Sequence, residues 1–234
     1  MTVIRFYTNE VFQTDSQEYE ILFNAAKSIK KVEGAIVEIG TRRGGSAKII
    51  IDALVENEDS NRNMFCIDPY GNIEYECTNL NIAAFHPNEK HSLKGDPLSK
   101  EITSTVKCDY TNNMRNTIIP SLYYYAYNAG INFQFFCLED SEFFNRYSDG
   151  VPCYSEYKEL VNKYSLVFFD GPHTNEIVKN EILFFNDRSN IGTVYVFDDI
   201  WMYSHDEFIE PLLFSSGFET LEKGKIKASY IRKK

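Results

Sequence analysis

The sequence predicts an α/β protein built on a doubly wound, mostly parallel sheet, and three observations carry this prediction. Short apolar runs of strand length alternate with segments of helical periodicity along the 234 residues. A glycine-rich stretch, AIVEIGTRRGGSA at 35–47, ends the first apolar run and leads into a helix. The tail, GFETLEKGKIKASYIRKK, has two β-rich runs joined by a turn at 222–225, which predicts an antiparallel hairpin.

The positions of apolar residues predict the individual elements. Residues 15–32 have helical spacing and stop before Gly34, which indicates an N-terminal helix. Residues 71–131 exceed what a plain crossover needs and are rich in Asn, Thr and Tyr, so we expect an inserted lid or substrate segment. The remaining predicted elements are a strand at 35–39, a helix at 46–55, strands at 64–68, 132–138 and 164–170, a helix at 176–185 and a strand at 193–199.

Length and composition restrict the classes of protein that fit. A chain of 234 residues suits one domain, so we expect 1–234 to form a single unit. The net charge of -10, without an extended Lys/Arg cluster, argues against nucleic acid as the main partner and favours a small-molecule substrate. Five cysteines without a C-x-x-C pair favour reduced thiols. With no signal peptide and no long apolar run, we expect a soluble, cytoplasmic protein that does not enter membranes.

The glycine-rich stretch indicates which kind of cofactor the sheet could bind. A dinucleotide site would have G-x-G-x-x-G, whereas here Glu38 precedes the loop and would repel a pyrophosphate. A carboxylate there could bind an α-ammonium group, and the Ser46 hydroxyl could hold an α-carboxylate. Asp68, which ends the next strand, is placed to accept hydrogen bonds from ribose hydroxyls. The loop between these residues contributes Gly40, Thr41, Arg42 and Gly44 to the candidate site. The alternative is a glycine loop that binds no nucleotide.

Acidic residues also end the later strands. Asp170 follows one strand, and the pair Asp198 and Asp199 follows the next. Because carboxylates at neighbouring strand ends repel one another unless a cation lies between them, these three side chains predict a site for Mg²⁺ or a similar ion. The alternative is that they are helix N-caps and solvated loop residues, since strand-to-helix turns often carry Asp.

Together these motifs resemble the class I methyltransferases that use S-adenosylmethionine. The strings FFDGPH at 168–173 and VFDDI at 196–200 are similar to a metal-dependent branch, which includes macrocin-type sugar O-methyltransferases and cephalosporin hydroxylase-like proteins. The resemblance spans most of 34–201 and the tail. It implies a Rossmann-like sheet of seven strands that ends in the antiparallel hairpin, S-adenosylmethionine as cofactor, and a divalent ion on Asp170, Asp198 and Asp199.

The resemblance also suggests roles for other side chains. Asp170 would lie beside the cofactor as well as the ion, and Tyr70 would pack on its ribose or adenine. The adenine would be bound by residues at the end of the third strand, namely Glu139, Asp140 and Ser141. Pro172 stands where many members have a second Asp that is a proposed base. His173 could take that role, with His205 as a second candidate. The alternative is that His173 caps a helix or faces solvent.

The sequence thus predicts a metal-assisted O-methyltransferase that acts on a small hydroxylated acceptor, for which a saccharide is a candidate. Two alternatives remain open. One is an accessory protein that binds the cofactor without turnover, and the other is a cephalosporin hydroxylase-like relative. Iron chemistry would require histidine ligands, and few histidines lie near the acidic residues. The N-terminal helix and the aromatic insert are candidate surfaces for a homo-oligomer.

Overall fold

The computed structural model describes residues 11–14, 16–70, 112–154 and 157–234. Most of the predicted insert, 71–111, lies outside the described residues. The helices are α1 (Tyr19–Ser28), α2 (Gly45–Glu56), α3 (Asn112–Asn128), α4 (Asp140–Arg146), α5 (Asn175–Asn186), a π-helical turn (His205–Ile209) and α6 (Glu210–Ser215). The strands are β1 (Ala35–Ile39), β2 (Asn63–Ile67), β3 (Asn132–Phe136), β4 (Val151–Tyr154), β5 (Lys158–Val161), β6 (Tyr164–Phe169), β7 (Ser189–Phe197), β8 (Phe218–Lys223) and β9 (Ala228–Arg232).

Seven strands form the central sheet, in the order β3-β2-β1-β6-β7-β9-β8. The first five are parallel, and β9 pairs antiparallel with both β7 and β8. The strand order reverses between β1 and β6, which is where ligands of doubly wound sheets bind. This confirms the predicted Rossmann-like fold with its C-terminal hairpin. The separate β4–β5 hairpin was not predicted.

The sheet is buried on both faces, as parallel sheets are. On one face, side chains such as Ile36, Cys66 and Phe168 pack with helices α1, α2 and α3. On the other face, alternate residues such as Val37 and Phe169 pack with α5 and the C-terminal elements. Because side chains alternate along a strand, residue parity decides which layer a functional residue enters.

Helix α3 forms the later part of the crossover from β2 to β3. Leu122 and Ala126 are fully buried in the layer of α2, while the Tyr125 hydroxyl donates a hydrogen bond to Asp52 at 2.5 Å. The helix therefore packs as a structural element of the sheet. The role of 71–131 as a lid or substrate segment stays a prediction.

The residue before α1 binds the β8–β9 turn. The Glu18 carboxylate accepts hydrogen bonds from the backbone amides of Lys225, Ile226 and Lys227, at 3.0, 2.8 and 3.0 Å. A Cβ at Gly224 would overlap that carboxylate, so a larger residue there would displace the Glu18 side chain from these amides. Glu18 has a left-handed backbone with φ of 56°, which is why α1 begins at Tyr19 instead of residue 15.

No helix among residues 11–14, 16–70, 112–154 and 157–234 combines the length and hydrophobicity needed to cross a bilayer.

The first glycine of the loop after β1 yields a stability prediction. Gly40 has φ of +84°, and an added Cβ would overlap the carbonyl of Asp170. We expect Gly40→Ala to lower the free energy of unfolding by about 2–4 kcal/mol, because strain and a backbone clash combine. Gly130→Ala is the matched control, since φ is also positive (+71°) but the nearest atom is the Ser60 Cβ at 3.3 Å. It should cost about 1 kcal/mol. Equal losses in chemical denaturation would contradict the close approach.

Candidate functional site

The candidate site residues lie in a row at the carboxyl edge of the sheet. The first residue after each of β1, β2, β6 and β7 is Gly40, Asp68, Asp170 and Asp198, respectively. Their amides continue the strand hydrogen bonds by one residue, to carbonyls of the neighbouring strands, at 2.9 to 3.1 Å. The three aspartates and Glu38 have even numbers in register with the layer of α1 and α2. Backbone pairing therefore fixes four acidic residues along one edge of the sheet.

Glu38 lies inside the protein, beside the start of α2. Its side chain is fully buried, and Oε2 accepts a hydrogen bond from the Cys66 thiol at 3.1 Å. Oε1 has no partner among the described residues. Burial raises the pKa of Glu38 to about 7, and the polar side chains of Ser46, Cys66 and Thr41 oppose the shift. A buried carboxyl group with an unpartnered oxygen is suited to a cationic ligand. Ser46 is 5% exposed.

Asp68 joins the glycine-rich loop to the segment after β2. Its Oδ2 accepts from the Arg42 amide at 2.8 Å and its Oδ1 from the Tyr70 amide at 3.0 Å. The Tyr70 hydroxyl donates to the Arg42 carbonyl at 2.5 Å, which closes this connection. Burial raises the pKa of Asp68 to about 6, and the amide of Arg42 opposes the shift. Arg42 and Tyr70 have left-handed backbones, with φ of 42° and 52°.

The N-terminal segment covers the glycine-rich loop. Gln13 pairs with Gly44 as an isolated parallel bridge, and the Arg43 side chain donates a hydrogen bond to the Gln13 carboxamide oxygen. Phe12 is buried and lies against Gly44. The neighbouring Thr41 is also buried. The loop is thus held between Asp68 on one side and the N-terminal segment on the other.

The residues suggested for adenine lie at the start of α4. Glu139 is the N-cap, and its amide donates to Glu142 Oε2 at 3.2 Å. Ser141 is exposed. Burial, and then the negative charge of Asp140, raises the pKa of Glu181 well above its usual range. Sequence reasoning missed Glu181, which lies in the middle of α5 without a motif around it.

The acidic residue after β7 is paired with a lysine that the sequence did not single out. Lys227 Nζ donates to Asp198 Oδ1 at 2.6 Å and to Ser16 Oγ at 2.7 Å, and Ser16 donates to the same Asp198 oxygen at 2.8 Å. The side chains of Lys227 and Asp198 are 0% and 1% exposed. The ammonium also lies over the Tyr19 ring, 4.1 Å from its centroid. This is a desolvated ion pair at the end of the sheet.

The predicted magnesium site is not present as the sequence suggested. Among the described residues, no group of three or more His, Cys, Asp or Glu side chains is arranged to hold a metal ion. Asp198 Oδ1 already accepts from Lys227, Ser16 and the Asp199 amide. Lys227 already supplies a positive charge at this carboxylate, and an ion on the same oxygen would repel the ammonium group. These residues therefore do not fit the divalent ion.

Asp170 and Asp199 differ from ordinary surface carboxylates. Burial, and then repulsion by Asp198, raises the pKa of Asp170 well above its usual range. The same two causes raise the pKa of Asp199 to about 7, and a hydrogen bond from the Trp201 indole at 3.3 Å opposes the shift. Lys227 opposes the shift at both carboxyl groups.

His173 lies on the other side of Asp199. Its Nε2 is 3.6 Å from Asp199 Oδ2, and its ring is parallel to Tyr203 with centroids 6.2 Å apart. Burial lowers the pKa of His173 to about 4, so the imidazole is neutral near pH 7 and can accept a proton. His205, the second candidate base, is buried, with ring nitrogens 3.2 Å and 2.9 Å from the hydroxyls of Tyr203 and Tyr230. Because both ring nitrogens lie beside tyrosine hydroxyls, these contacts indicate a structural role for His205.

Comparison with known proteins identifies the class of this chain. The family model described as a methyltransferase domain matches residues 37–200, which is more than half of the chain. The chain belongs to this methyltransferase family and is a methyltransferase. No curated protein sequence matches it.

Solved structures show the same fold at low sequence identity. The O-methyltransferase NovP aligns with a TM-score of 0.51 and 15% identity over 91% of this chain and 79% of NovP. The calicheamicin methyltransferase CalS11 aligns with a TM-score of 0.54 and 13% identity over 90% of this chain and 76% of CalS11. TomG from Streptomyces achromogenes, solved with SAM, aligns with a TM-score of 0.51 and 13% identity over 92% of this chain and 79% of TomG.

The raised pKa of Glu38 gives a pH-dependent stability prediction. A carboxyl group with a raised pKa stabilises the fold below its unfolded pKa of 4.5, and this contribution is lost as pH rises through about 7. The variant Glu38→Gln does not titrate. Relative to the wild type, we expect its free energy of unfolding to increase by about 2 kcal/mol between pH 5.5 and pH 8. Urea denaturation at both pH values measures this difference, and an unchanged difference would contradict the burial of a titrating Glu38.

Proposed function

We propose that this methyltransferase transfers a methyl group from S-adenosylmethionine to a hydroxyl oxygen of a small acceptor. The observation that carries the proposal is the buried acidic row at the carboxyl edge of a methyltransferase fold. Glu38 and Asp68 flank the glycine-rich loop and have raised pKa values, which a positively charged ligand would lower again. S-adenosylmethionine supplies a methyl group on a positively charged sulfur, together with an α-ammonium group.

Different residues around the loop are proposed to bind different groups of S-adenosylmethionine. Glu38 is proposed to accept a hydrogen bond from the α-ammonium group, because Oε1 has no partner among the described residues. Asp68 is proposed to bind the ribose hydroxyls with the lone pairs that the amides of Arg42 and Tyr70 leave. Tyr70 lies against Phe135 and would pack beside the ribose. Backbone amides at the start of α2 would hold the α-carboxylate.

Two further predictions from the sequence belong to the same proposal. Glu139, Asp140 and Ser141 lie at the third strand end, where they would bind the adenine. Asp170 follows β6, the strand that lies between β1 and β7 in the sheet, and would lie closest to the reacting methyl group. These assignments come from the resemblance and from the position of each residue on the sheet edge.

His173 is proposed as the base. When the acceptor oxygen bonds to the methyl carbon, its hydroxyl proton must leave, and a neutral imidazole can take it. Asp199, 3.6 Å from Nε2, would stabilise the resulting imidazolium once it is ionised. The roles of the chain are therefore to align the acceptor oxygen, to exclude water and to accept one proton. The divalent ion is not part of this proposal.

A saccharide is the acceptor that we propose to test first. Trp201 and Tyr203 are half-buried beside Asp199 and His173. Aromatic faces of this kind pack against the C–H face of a sugar ring, while carboxylates bind its hydroxyls. CalS11, which shares the fold, is described as a TDP-rhamnose 3'-O-methyltransferase, so a nucleotide-linked deoxysugar is a suitable first acceptor.

Calorimetric titration with S-adenosylmethionine tests the cofactor. We expect micromolar binding by the wild type and a loss of about tenfold to hundredfold in Asp68→Asn, because a buried carboxylate that accepts ribose hydroxyls is replaced. Glu207→Gln, at an exposed position of the π-helical turn, is the control for loss of a charge and should bind like the wild type. A wild type that does not bind S-adenosylmethionine would refute the proposal.

Acceptor turnover tests the base. With an acceptor that is methylated, His173→Gln should lower kcat by about 100-fold or more, the usual contribution of general-base catalysis, and leave binding of S-adenosylmethionine unchanged. The measurement is release of S-adenosylhomocysteine by mass spectrometry. Full kcat in the variant would show that another group takes the proton. Cofactor binding without turnover on any hydroxylated acceptor would favour the accessory role.

A further inference from the structure

The position of Lys227 is fixed by contacts with the segment before α1 and the segment after β7. Glu18, just before α1, binds the Lys227 amide, and the Ile226 carbonyl accepts from the Ile200 amide at 3.0 Å. The Lys227 ammonium lies near the rings of Tyr19 and Phe168. Their centroids are 4.1 and 5.8 Å from Nζ. With no exposed surface, the ammonium cannot reach water without rearranging the hairpin.

The ammonium lies where the carboxylates need a positive charge. The negative charge of Asp198 raises the pKa of both Asp170 and Asp199, and Lys227 acts in the opposite direction on the same two carboxyl groups. Ionising neighbouring carboxyl groups is unfavourable unless a cation lies close to them. Lys227 supplies one charge through a 2.6 Å hydrogen bond to Asp198. A protein side chain thus provides part of what a bound ion would provide.

A divalent ion and the ammonium would compete for the same carboxylate. Asp198 Oδ1 accepts from three donors, and Oδ2 is buried without a partner among the described residues. An ion on Oδ2 would lie close to a fixed ammonium group, in a place from which water is excluded and repulsion is strong. Without Lys227, an ion on Asp198 Oδ2 and the Asp199 carboxylate would no longer be repelled by a fixed ammonium group, and Oδ1 would keep its bonds from Ser16 and the Asp199 amide. Oxygen ligands of this kind are those that Mg²⁺ and Mn²⁺ prefer.

We propose that Lys227 holds the place of a divalent cation at Asp170, Asp198 and Asp199, so that this chain transfers methyl groups without a divalent ion. The statement about methyl transfer rests on the proposed function, whereas the statement about the cation site does not. Lys227 is a positioning residue, because it acts through Asp198 and is itself shielded from ligands. Its removal converts the acidic residues into a metal site.

Manganese binding tests the cation site independently of turnover. Electron paramagnetic resonance of free Mn²⁺ is measured for the wild type, Lys227→Met, Lys227→Arg and the double variant Lys227→Met/Asp198→Asn. Lys225→Met is the matched control, since Lys225 is exposed in the same turn. We expect Lys227→Met to bind one Mn²⁺ per chain at least tenfold more tightly than the wild type. The arginine variant, the control and the double variant should bind like the wild type.

Two results of the Mn²⁺ measurement would overturn the inference. One is wild-type binding of Mn²⁺ as tight as that of Lys227→Met, which would show that ion and ammonium coexist. The other is a folded Lys227→Met variant that gains no affinity. Circular dichroism establishes folding, and Lys227→Gln replaces the methionine variant if that variant does not fold. Mn²⁺ binding by the wild type can be compared whichever of the two variants folds.

Turnover provides the second measurement. Wild-type activity should change less than twofold after treatment with EDTA, whereas Lys227→Met should lose activity and recover part of it with Mn²⁺. Loss of wild-type activity on chelation, restored by Mg²⁺, would contradict the inference. Failure of S-adenosylmethionine to bind would instead refute the proposed function and leave the Mn²⁺ result to stand by itself.

Discussion

The ion pair between Lys227 and Asp198 is the interaction on which the carboxyl edge of the sheet depends. A buried ammonium costs several kcal/mol of lost hydration, which only close hydrogen bonds and a nearby negative charge can offset. Here the carboxylate follows β7, the lysine directly precedes β9, and Ser16 completes the set of polar partners. The pair therefore forms only when the N-terminal segment, the central strands and the C-terminal hairpin are all in place. The arrangement of charges in the site therefore depends on the packing of these three parts of the chain.

The order of strands and helices could be predicted because its signals are local. Strand ends lie within about one or two residues of the apolar runs, apart from β7, which begins at Ser189 and not at residue 193. The N-terminal helix is shorter than its periodicity suggested, because Glu18 leaves the helical conformation to bind the hairpin turn. Strands β4 and β5 were missed because they are short and have few buried residues.

The acidic row could also be predicted, since each carboxylate directly follows a buried strand. The positive charge beside these carboxylates, the Lys227 ammonium group, could not be predicted. Lys227 is 29 residues from Asp198 along the chain and lies in a lysine-rich turn that reads as a solvated hairpin. Its burial results from the approach of Glu18 and Ser16, which no local pattern reveals. A cluster of carboxylates indicates that a positive charge is needed but not which one, so the sequence suggested an ion where the structure has an ammonium group.

A double-mutant cycle on the ion pair tests the account most directly. The free energies of unfolding of the wild type, Lys227→Met, Asp198→Asn and the double variant are measured by urea denaturation at one pH. Removing either partner leaves a buried charge alone and should cost about 3–5 kcal/mol. The double variant should be no less stable than the single variants, which gives a coupling of at least about 3 kcal/mol. Additive losses would show that the pair does not hold this edge together and would contradict the account.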